Sequence, residues 1–578
     1  MERRVLLAIF LAFLVLYAYQ AFLVPPVPPQ QQVVPSGGGT TAPATNTAPA
    51  TSETSPAPPP AAAPVSSATP LIAATAEQDV RIETPAVLAI FTNRGARLKS
   101  WRLKDYRDGR GEPLELVAND LGESFPLPFS LSLAGNAAAS TTLNSALYSI
   151  RGAPDAKAVH DSAVEVLFEY SDSSGLSSVK RFRIEPRAYT VAFEATVMQN
   201  GQLSAPAVLW GPGMGNGAAQ DVQSIVKPRG LFSVGGDVSR LDASDIGEQP
   251  TYDQDFEYAG IDDHYFAAIA LKPARAKVTY QPVSIPAPTG AGTPARELMA
   301  FSLEAPARGA LSFYIGPKDF ETLAAIDRNL VRSIDFGMFS VLVVPLLRSL
   351  NWINDYVGNY GWAILILTVF INIILFPLNH KSVVSMRKMQ EIQPEAKAIQ
   401  ERYSKLKATD PARQKMNQEL MALYRSRGAN PASGCVPAIL MLPVFLAFYA
   451  LLTTAIELRG APFVGWMNDL SQPDPFYVMP VLVGLSQLVT QWMTPQTGID
   501  PTQQKIMLIM PLVLIFVFVS TPVGALIYWL VGNIWRVGQQ YLTNYLIGPP
   551  NVRTIRPAAE RRVKRVGSGK TESAAREN

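Results

Sequence analysis

The residue types that carry out covalent or metal chemistry are scarce in this chain and poorly placed for it. His160, His264 and His380 are the only histidines, and Cys435 is the only cysteine. A zinc site needs three or four converging ligands, so no metal is expected, and no disulfide can form within the chain. Cys435 reads as a small packing residue at the start of an apolar run. The run Asp262-Asp263-His264 invites an acid–base reading. A satisfied turn leading into a strand at His264-Tyr265-Phe266-Ala267 accounts for it better. With no nucleophile elbow, phosphate loop or metal spacing, neither an enzymatic reaction nor a cofactor is expected.

More telling are the polar side chains set inside apolar runs. Thr368 and Asn372 interrupt 362–378, Gln487 and Gln491 interrupt 476–493, and Tyr528, Asn533 and Arg536 lie in the last run. Polar groups within a membrane span are costly and mark pathways or binding sites. Almost no acidic residue accompanies them in the spans, which argues against an ion-coupled pump.

The elements that hold these residues follow from hydropathy. Val5–Val24 is 20 residues without a charge, long enough at 1.5 Å per residue to cross a bilayer core of about 30 Å. It lacks an A-x-A cleavage site, so it reads as an uncleaved anchor, and Arg3 and Arg4 favour a cytoplasmic N-terminus. Later spans are expected at Trp362–Leu378, Val436–Ile456 and Phe476–Met493, and then twice within Ile506–Ile547, broken at Ser520-Thr521-Pro522-Val523-Gly524. The first arm of that pair, Ile506–Ser520, reaches only about 22 Å, so the bilayer should thin there or the helix be shielded. Charge supports six spans with both termini in the cytoplasm. Lys381–Gly428 holds 11 Lys/Arg against 5 Asp/Glu, Glu457–Asp474 one Arg against three acids, and the tail from Asn551 eight Lys/Arg against three acids.

The remaining segments fill in the organisation. Residues 25–76 are rich in Pro, Ala, Thr and Ser and read as an extended tether. From Glu77 to Asp319, alternating runs such as Val87–Phe91, Val164–Tyr170 and Val191–Val197 are separated by turn residues, which predicts an antiparallel β-sandwich. Leu342, Val343, Leu346, Leu347 and Leu350 give an apolar face suited to an interfacial helix. In the basic loop, a stripe of Met386, Met389, Ile392, Ala396, Ile399, Tyr403 and Leu406 faces Met416, Leu420 and Leu423 across a turn. Asp410 and Pro411 start the second of these helices and Gly428 ends it. The basic outer face of this hairpin, at Arg387, Lys388, Arg402, Lys405 and Lys407, either obeys the positive-inside rule alone or docks an acidic partner. The chain thus divides into an anchor (1–24), a tether (25–76), an external β-sandwich domain (77–330), an interfacial helix (331–352), a membrane core (353–548) with a cytoplasmic hairpin (381–428) and a basic tail (549–578).

A series of ordered blocks resembles the YidC family of membrane protein insertases, in its Gram-negative form. They include Tyr356-Val357-Gly358-Asn359-Tyr360-Gly361-Trp362, Phe376-Pro377-Leu378, Leu442-Pro443-Val444-Phe445, Glu457-Leu458-Arg459-Gly460-Ala461-Pro462-Phe463 and Pro522-Val523-Gly524-Ala525-Leu526-Ile527-Tyr528-Trp529. The match is dense from Asp335 to Leu546 and weaker at Thr92-Asn93-Arg94-Gly95 and His264-Tyr265-Phe266. The resemblance implies a multidomain membrane protein: a periplasmic β-supersandwich on an α-helical bundle in the bacterial inner membrane. It also implies a groove open to cytoplasm and lipid and closed to the periplasm. The partners it implies are nascent inner-membrane proteins, the Sec translocon, membrane lipids and, through the basic hairpin and tail, the ribosome and the signal-recognition-particle receptor.

A wet groove would shorten the path that a polar segment takes across hydrocarbon. The client's apolar segment could then leave along the greasy faces of spans three and five, at Val436, Met441, Pro443, Met510 and Phe516. The family usually places an arginine on span two, five residues before the proline of Phe-Pro-Leu; here that residue is Asn372. Arg536 lies about 20 Å along span six, a depth similar to that of Asn372. The expectation is that Arg536 supplies the charge of the groove and that Thr368, Asn372, Tyr528, Trp529 and Asn533 line it, unless Arg536 snorkels to the headgroups. A small-solute transporter is disfavoured by the absence of inverted repeats and intramembrane carboxylates. A sugar-binding or sugar-converting module is disfavoured because no acid–base pair stands out in 77–319.

Overall fold

The computed structural model describes residues 69–122, 125–152, 154–215, 227–247, 249–285, 296–304, 309–403, 412–428, 436–493, 501–548. The anchor, nearly all of the tether, the basic tail, Lys405, Lys407, the Asp410-Pro411 helix start and Cys435 lie outside them, as does the side chain of Val436.

The first half is antiparallel β throughout its named pairings. A four-stranded sheet (Asp79–Glu83, Val87–Thr92, Arg97–Arg107, Pro113–Glu115) packs on a 14-stranded one. The expected runs appear as Val87–Thr92, Val164–Asp172 and Thr190–Gln199, each with the alternating burial that one wet and one dry face produces. The centrepiece is the 20-residue strand Phe266–Ile285, which changes partner along its length. Phe266–Leu271 pairs with Leu311–Pro317, and Lys277–Ile285 pairs with Arg296–Glu304. Between them Lys272 and Ala274 take φ of 45° and 59°, left-handed positions that turn the strand and split the sheet into two wings. The core between the sheets is aromatic: Phe91, Phe129, Phe168, Phe182 and Phe193 are at most 1% exposed, and Trp101 ties the sheets together by donating Nε1–H to the Ile315 carbonyl at 2.9 Å.

Helices α1 (Ala137–Ser145) and α2 (Phe320–Ile326) belong to this domain, and α2 follows its last strand as expected. A helical bundle follows: α3 (Ser340–Val357), α4 (Tyr360–Arg402), α5 (Ala412–Ser426), α6 (Val436–Thr454), α7 (Val478–Met493), α8 (Pro501–Phe518) and α9 (Val523–Ile547). The expected second span and the first arm of the hairpin are one continuous 43-residue helix, α4. Among the described residues it alone is long and apolar enough to cross a membrane by that measure; α6, α7 and α8 hold shorter apolar stretches. The break expected at 520–524 separates α8 from α9.

The helix expected within 331–352 is α3, which runs later, Ser340–Val357, and its apolar face is divided. Val343, Leu347 and Leu350 are fully buried against the bundle, while Met338, Val341, Trp352 and Tyr356 are exposed. Gly358 ends α3 in the left-handed conformation (φ 69°), and Asn359 caps α4 by accepting from the Trp362 amide while donating to the Pro462 carbonyl at 2.9 Å.

Candidate functional site: a polar seam in the helical bundle

The polar residues singled out in the apolar runs converge on α9 and its neighbours α4, α6 and α7. Thr368 is fully buried and donates to the Ile364 carbonyl at 2.6 Å. Asn372, 3% exposed, donates to the Thr368 carbonyl at 2.8 Å, but its Oδ1 has no partner among the described residues. On α9, Asn533 donates to Ser486 Oγ of α7 at 2.9 Å, and its Oδ1 is likewise buried and unpartnered. Trp529 Nε1 points to Gln487 Oε1 at 3.4 Å, while its ring meets Phe445 of α6 and Phe518 of α8 edge-on. Tyr528 stacks on Phe448 with centroids 4.3 Å apart. Buried amide oxygens are normally satisfied, so the two left open here, and a third on Asn354 of α3, invite an explanation.

Two contacts fix how α9 runs beside α4. Gln539 Nε2 faces the Phe376 carbonyl at 3.5 Å, and His380 Nδ1 lies 3.3 Å from Thr543 Oγ1; both pairs are 163 residues apart in sequence. Equal separation means the helices run parallel, so Asn372 is level with Trp535 and Ile373 with Arg536. Gly532, Arg536, Gln539 and Thr543 follow an i, i+4, i+7, i+11 stripe, which puts Arg536 on the side of α9 that faces α4. Gln539 and Thr543 on this stripe are buried, whereas Arg536 is exposed and has no ion pair among the described residues. One turn outward, a Cβ at Gly532 would meet no atom within 4 Å. Nearer the outer end, a Cβ at Gly524 would lie 3.5 Å from Ile364 Cδ1. The two helices therefore touch near Gly524 and again at Gln539 and Thr543, and between these points Gly532 has room for a side chain and Arg536 is exposed, while Asn372 at the same level is buried.

The apolar residues expected to guide a client divide by position. Met510 and Phe516 are 43% and 81% exposed on α8, as suits contact with lipid tails. Met441 and Pro443 are half-buried on α6, and Met441 Sδ lies 3.9 Å from Asn379 Nδ2.

The basic hairpin departs from expectation at Arg387. This residue is 6% exposed and donates to Asn544 Oδ1 of α9 at 2.9 Å, so it braces the two helices and is not free to meet a partner. Its bond to Asn544 puts it on the side of α4 that faces α9. Lys388 is exposed; Arg402 is exposed but paired with Glu419 at 3.0 Å. The seam contacts of His380, Gln539 and Thr543 were missed in the sequence, although the i, i+4 pair Gln539/Thr543 in an apolar helix is a visible signal.

In the β domain, Asp262-Asp263-His264 is structural. Asp263 Oδ1 accepts from the Tyr265 and Phe266 amides at 2.9 and 2.7 Å, the satisfied turn expected. Asp262 is fully buried between Arg229 at 3.1 Å and Lys318 at 2.9 Å. Among the described residues no group of three His, Cys, Asp or Glu could hold a metal ion.

Residues 79–349 match the YidC periplasmic domain family and residues 352–548 match the 60Kd inner membrane protein family. The membrane protein insertase YidC of Syntrophus aciditrophicus is 34% identical over 94% of this chain and 99% of its own length. That of Geotalea daltonii is 32% identical over 94% and 99%. That of Wolinella succinogenes is 43% identical over 40% of this chain and 42% of its own length. A crystal structure of an active YidC insertase with its first transmembrane domain resolved is 18% identical, covers 83% of this chain and 95% of that one, and superposes with a TM-score of 0.35. With two family matches in tandem and relatives this similar from end to end, the chain belongs to the YidC family of membrane protein insertases.

Proposed function

We propose that this chain inserts and helps fold inner-membrane proteins, alone or with the Sec translocon, through the space between α4 and α9. In this reading it crosses the inner membrane six times with both termini in the cytoplasm, and the β domain stands in the periplasm. The observation that carries it is the pairing of an exposed cation, Arg536, with two buried amide oxygens that have no partner, on Asn372 and Asn533. An extended client segment brings amide N–H groups that must find acceptors away from water, and the open oxygens offer them. Arg536 would attract the acidic residues of a client tail in a medium of low dielectric constant. The apolar part of the client would then leave into lipid past Met510 and Phe516 on one side and Met441, Pro443 and Val436 on the other. Lys388, Arg402, Lys405 and Lys407 are the residues proposed to meet the ribosome or the signal-recognition-particle receptor.

The test is insertion of a one- or two-span protein into proteoliposomes that contain only the purified chain, read as protease-protected fragments. With R536A, insertion of clients with acidic tails should fall about tenfold, equivalent to about 1.4 kcal/mol, with clients of neutral tail unchanged. R536K should keep most of the activity. Equal insertion of acidic-tailed clients by R536A and wild type would remove Arg536 from the mechanism.

A further inference from the structure

The β domain holds the outer end of α6 at three points. His264 Nε2 lies 2.8 Å from the Thr453 carbonyl in the last turn of α6. The guanidinium of Arg459 lies over the rings of Tyr265 and Phe266, 5.5 and 5.1 Å from their centroids. Glu457 Oε1 accepts from the amide of Phe320, the residue next to Asp319, at 3.4 Å. Asp319 caps α2 through the Thr322 amide at 2.7 Å. Two carboxyl groups this close, away from water, favour a proton on one of them.

The surroundings supply acids and little compensating charge. Tyr106 faces Asp319, Glu457 and Asp105, and Tyr360 faces Glu457, Asp319, Asp355 and Glu321. The nearby cations are otherwise engaged. Arg348 lies over the Phe320 ring at 5.2 Å, Lys318 is paired with Asp262, and Arg459 is stacked on its two rings. Glu457 has no ion pair among the described residues.

We propose that this junction is a proton-sensitive latch: a proton on Glu457, whose carboxyl docks beside Asp319, fastens the β domain to the outer end of α6, and His264 titrates against it. Burial first, and then the charge of Asp319, pushes the Glu457 carboxyl up to about 7 from its ordinary 4.5. Between those values the docked junction keeps a proton that the undocked one releases. Docking is therefore strongest below the ordinary carboxyl value and weakens as pH rises toward 7, by up to about tenfold per pH unit. Burial holds His264 below its ordinary 6.5. It works in the opposite sense, since undocking exposes a site that takes up a proton as pH falls through 6.5. The Glu457 shift is the larger, so the net response is loosening as pH rises. The latch bears on the bundle because α6 also carries Phe445 and Phe448, which stack on Tyr528 of α9.

Hydrogen exchange of the full chain in lipid nanodiscs between pH 5 and 8, expressed as protection factors corrected for intrinsic exchange, tests this. Protection of 320–326 and 456–459 should fall as pH rises to 7 and then level off. E457Q should reverse the slope, leaving His264 alone, and H264Q should steepen it. D319N keeps the cap and should move the response to lower pH. Amides of Thr190–Gln199 in the β core report whether a variant is folded. A wild-type slope retained in E457Q, or no shift in D319N, would overturn the latch.

Discussion

The β domain pairs its buried charges, whereas the helical bundle leaves buried amide oxygens open; single hydroxyls such as Ser178 Oγ and Tyr258 Oη are unpartnered among the described residues of the β domain as well. In the β domain Lys180 is fully buried, yet its ammonium donates to the carbonyls of Gly95, Ala96 and Phe129 at 2.6, 3.2 and 2.9 Å. Asp262 is matched by two cations, and Arg229 reaches a second acid, Asp335, at 3.2 Å. In the bundle, Asn372 and Asn533 each bond through nitrogen and leave the oxygen open, and Arg536 faces space. A satisfied buried group holds a fold together, and an unsatisfied one persists only where something other than stability keeps it. The difference separates residues whose loss should unfold the chain from residues whose loss should silence it.

The sharpest way to break that distinction is Asp262→Asn. It leaves Lys318 buried with no paired counter-charge and Arg229 with Asp335 alone, and removal of one member of such a cluster costs about 3–5 kcal/mol. Urea-dependent proteolysis of the solubilised chain should show the β domain opening at clearly lower urea. An unchanged midpoint would mean that Asp262 is not what holds these cations.

A smaller effect is expected at the outer surface of the bundle. A Cβ on Gly361 would lie 2.1 Å from Cδ2 of Phe463, in the loop that packs on the start of α4. Gly361→Ala must therefore push that ring aside, at a cost of about 1–3 kcal/mol, and lower the melting temperature. The ring's edge-on contact with Trp362, at 5.4 Å, should be lost as well and can be read from Trp fluorescence. Retention of both would show that the loop is looser than its packing indicates.

How much of this was legible in the sequence follows the same division. The strands at Val87–Thr92 and Thr190–Gln199 follow from alternation, because a one-faced sheet writes its burial directly into every second residue. The break at 520–524 follows from Pro522 and Gly524. The partner change within Phe266–Ile285 does not, since it depends on which distant strand arrives beside each half. Nor does the merging of the second span with the hairpin helix. The span expected to end at Leu378, next to Pro377, runs on: Pro377 sits inside α4, as does Pro394. In the seam, the sequence singles out the polar types but not their partners. Arg387 looks like one more basic surface residue until the α9 register places Asn544 beside it. Glu457 was visible only as part of the Glu457-Leu458-Arg459 block, because its consequence depends on Asp319, far away in the chain.

The finest test of the comparison is Asn372→Leu, where the expected stability change is small and of unusual sign. The side chain bonds only to its own helix, through the Thr368 carbonyl, which already serves as an acceptor within α4. Replacing an amide whose oxygen is buried and open with an apolar side chain of similar size removes a desolvation penalty, so stability should hold or rise by up to about 1 kcal/mol. Insertion should nevertheless fall, because one of the two open acceptors facing a client backbone is gone. Thermal unfolding and proteoliposome insertion, measured on the same preparation, must then move apart. If both fall together, Asn372 is a structural residue like Asp262, and the bundle holds its polar groups for the same reason as the β domain.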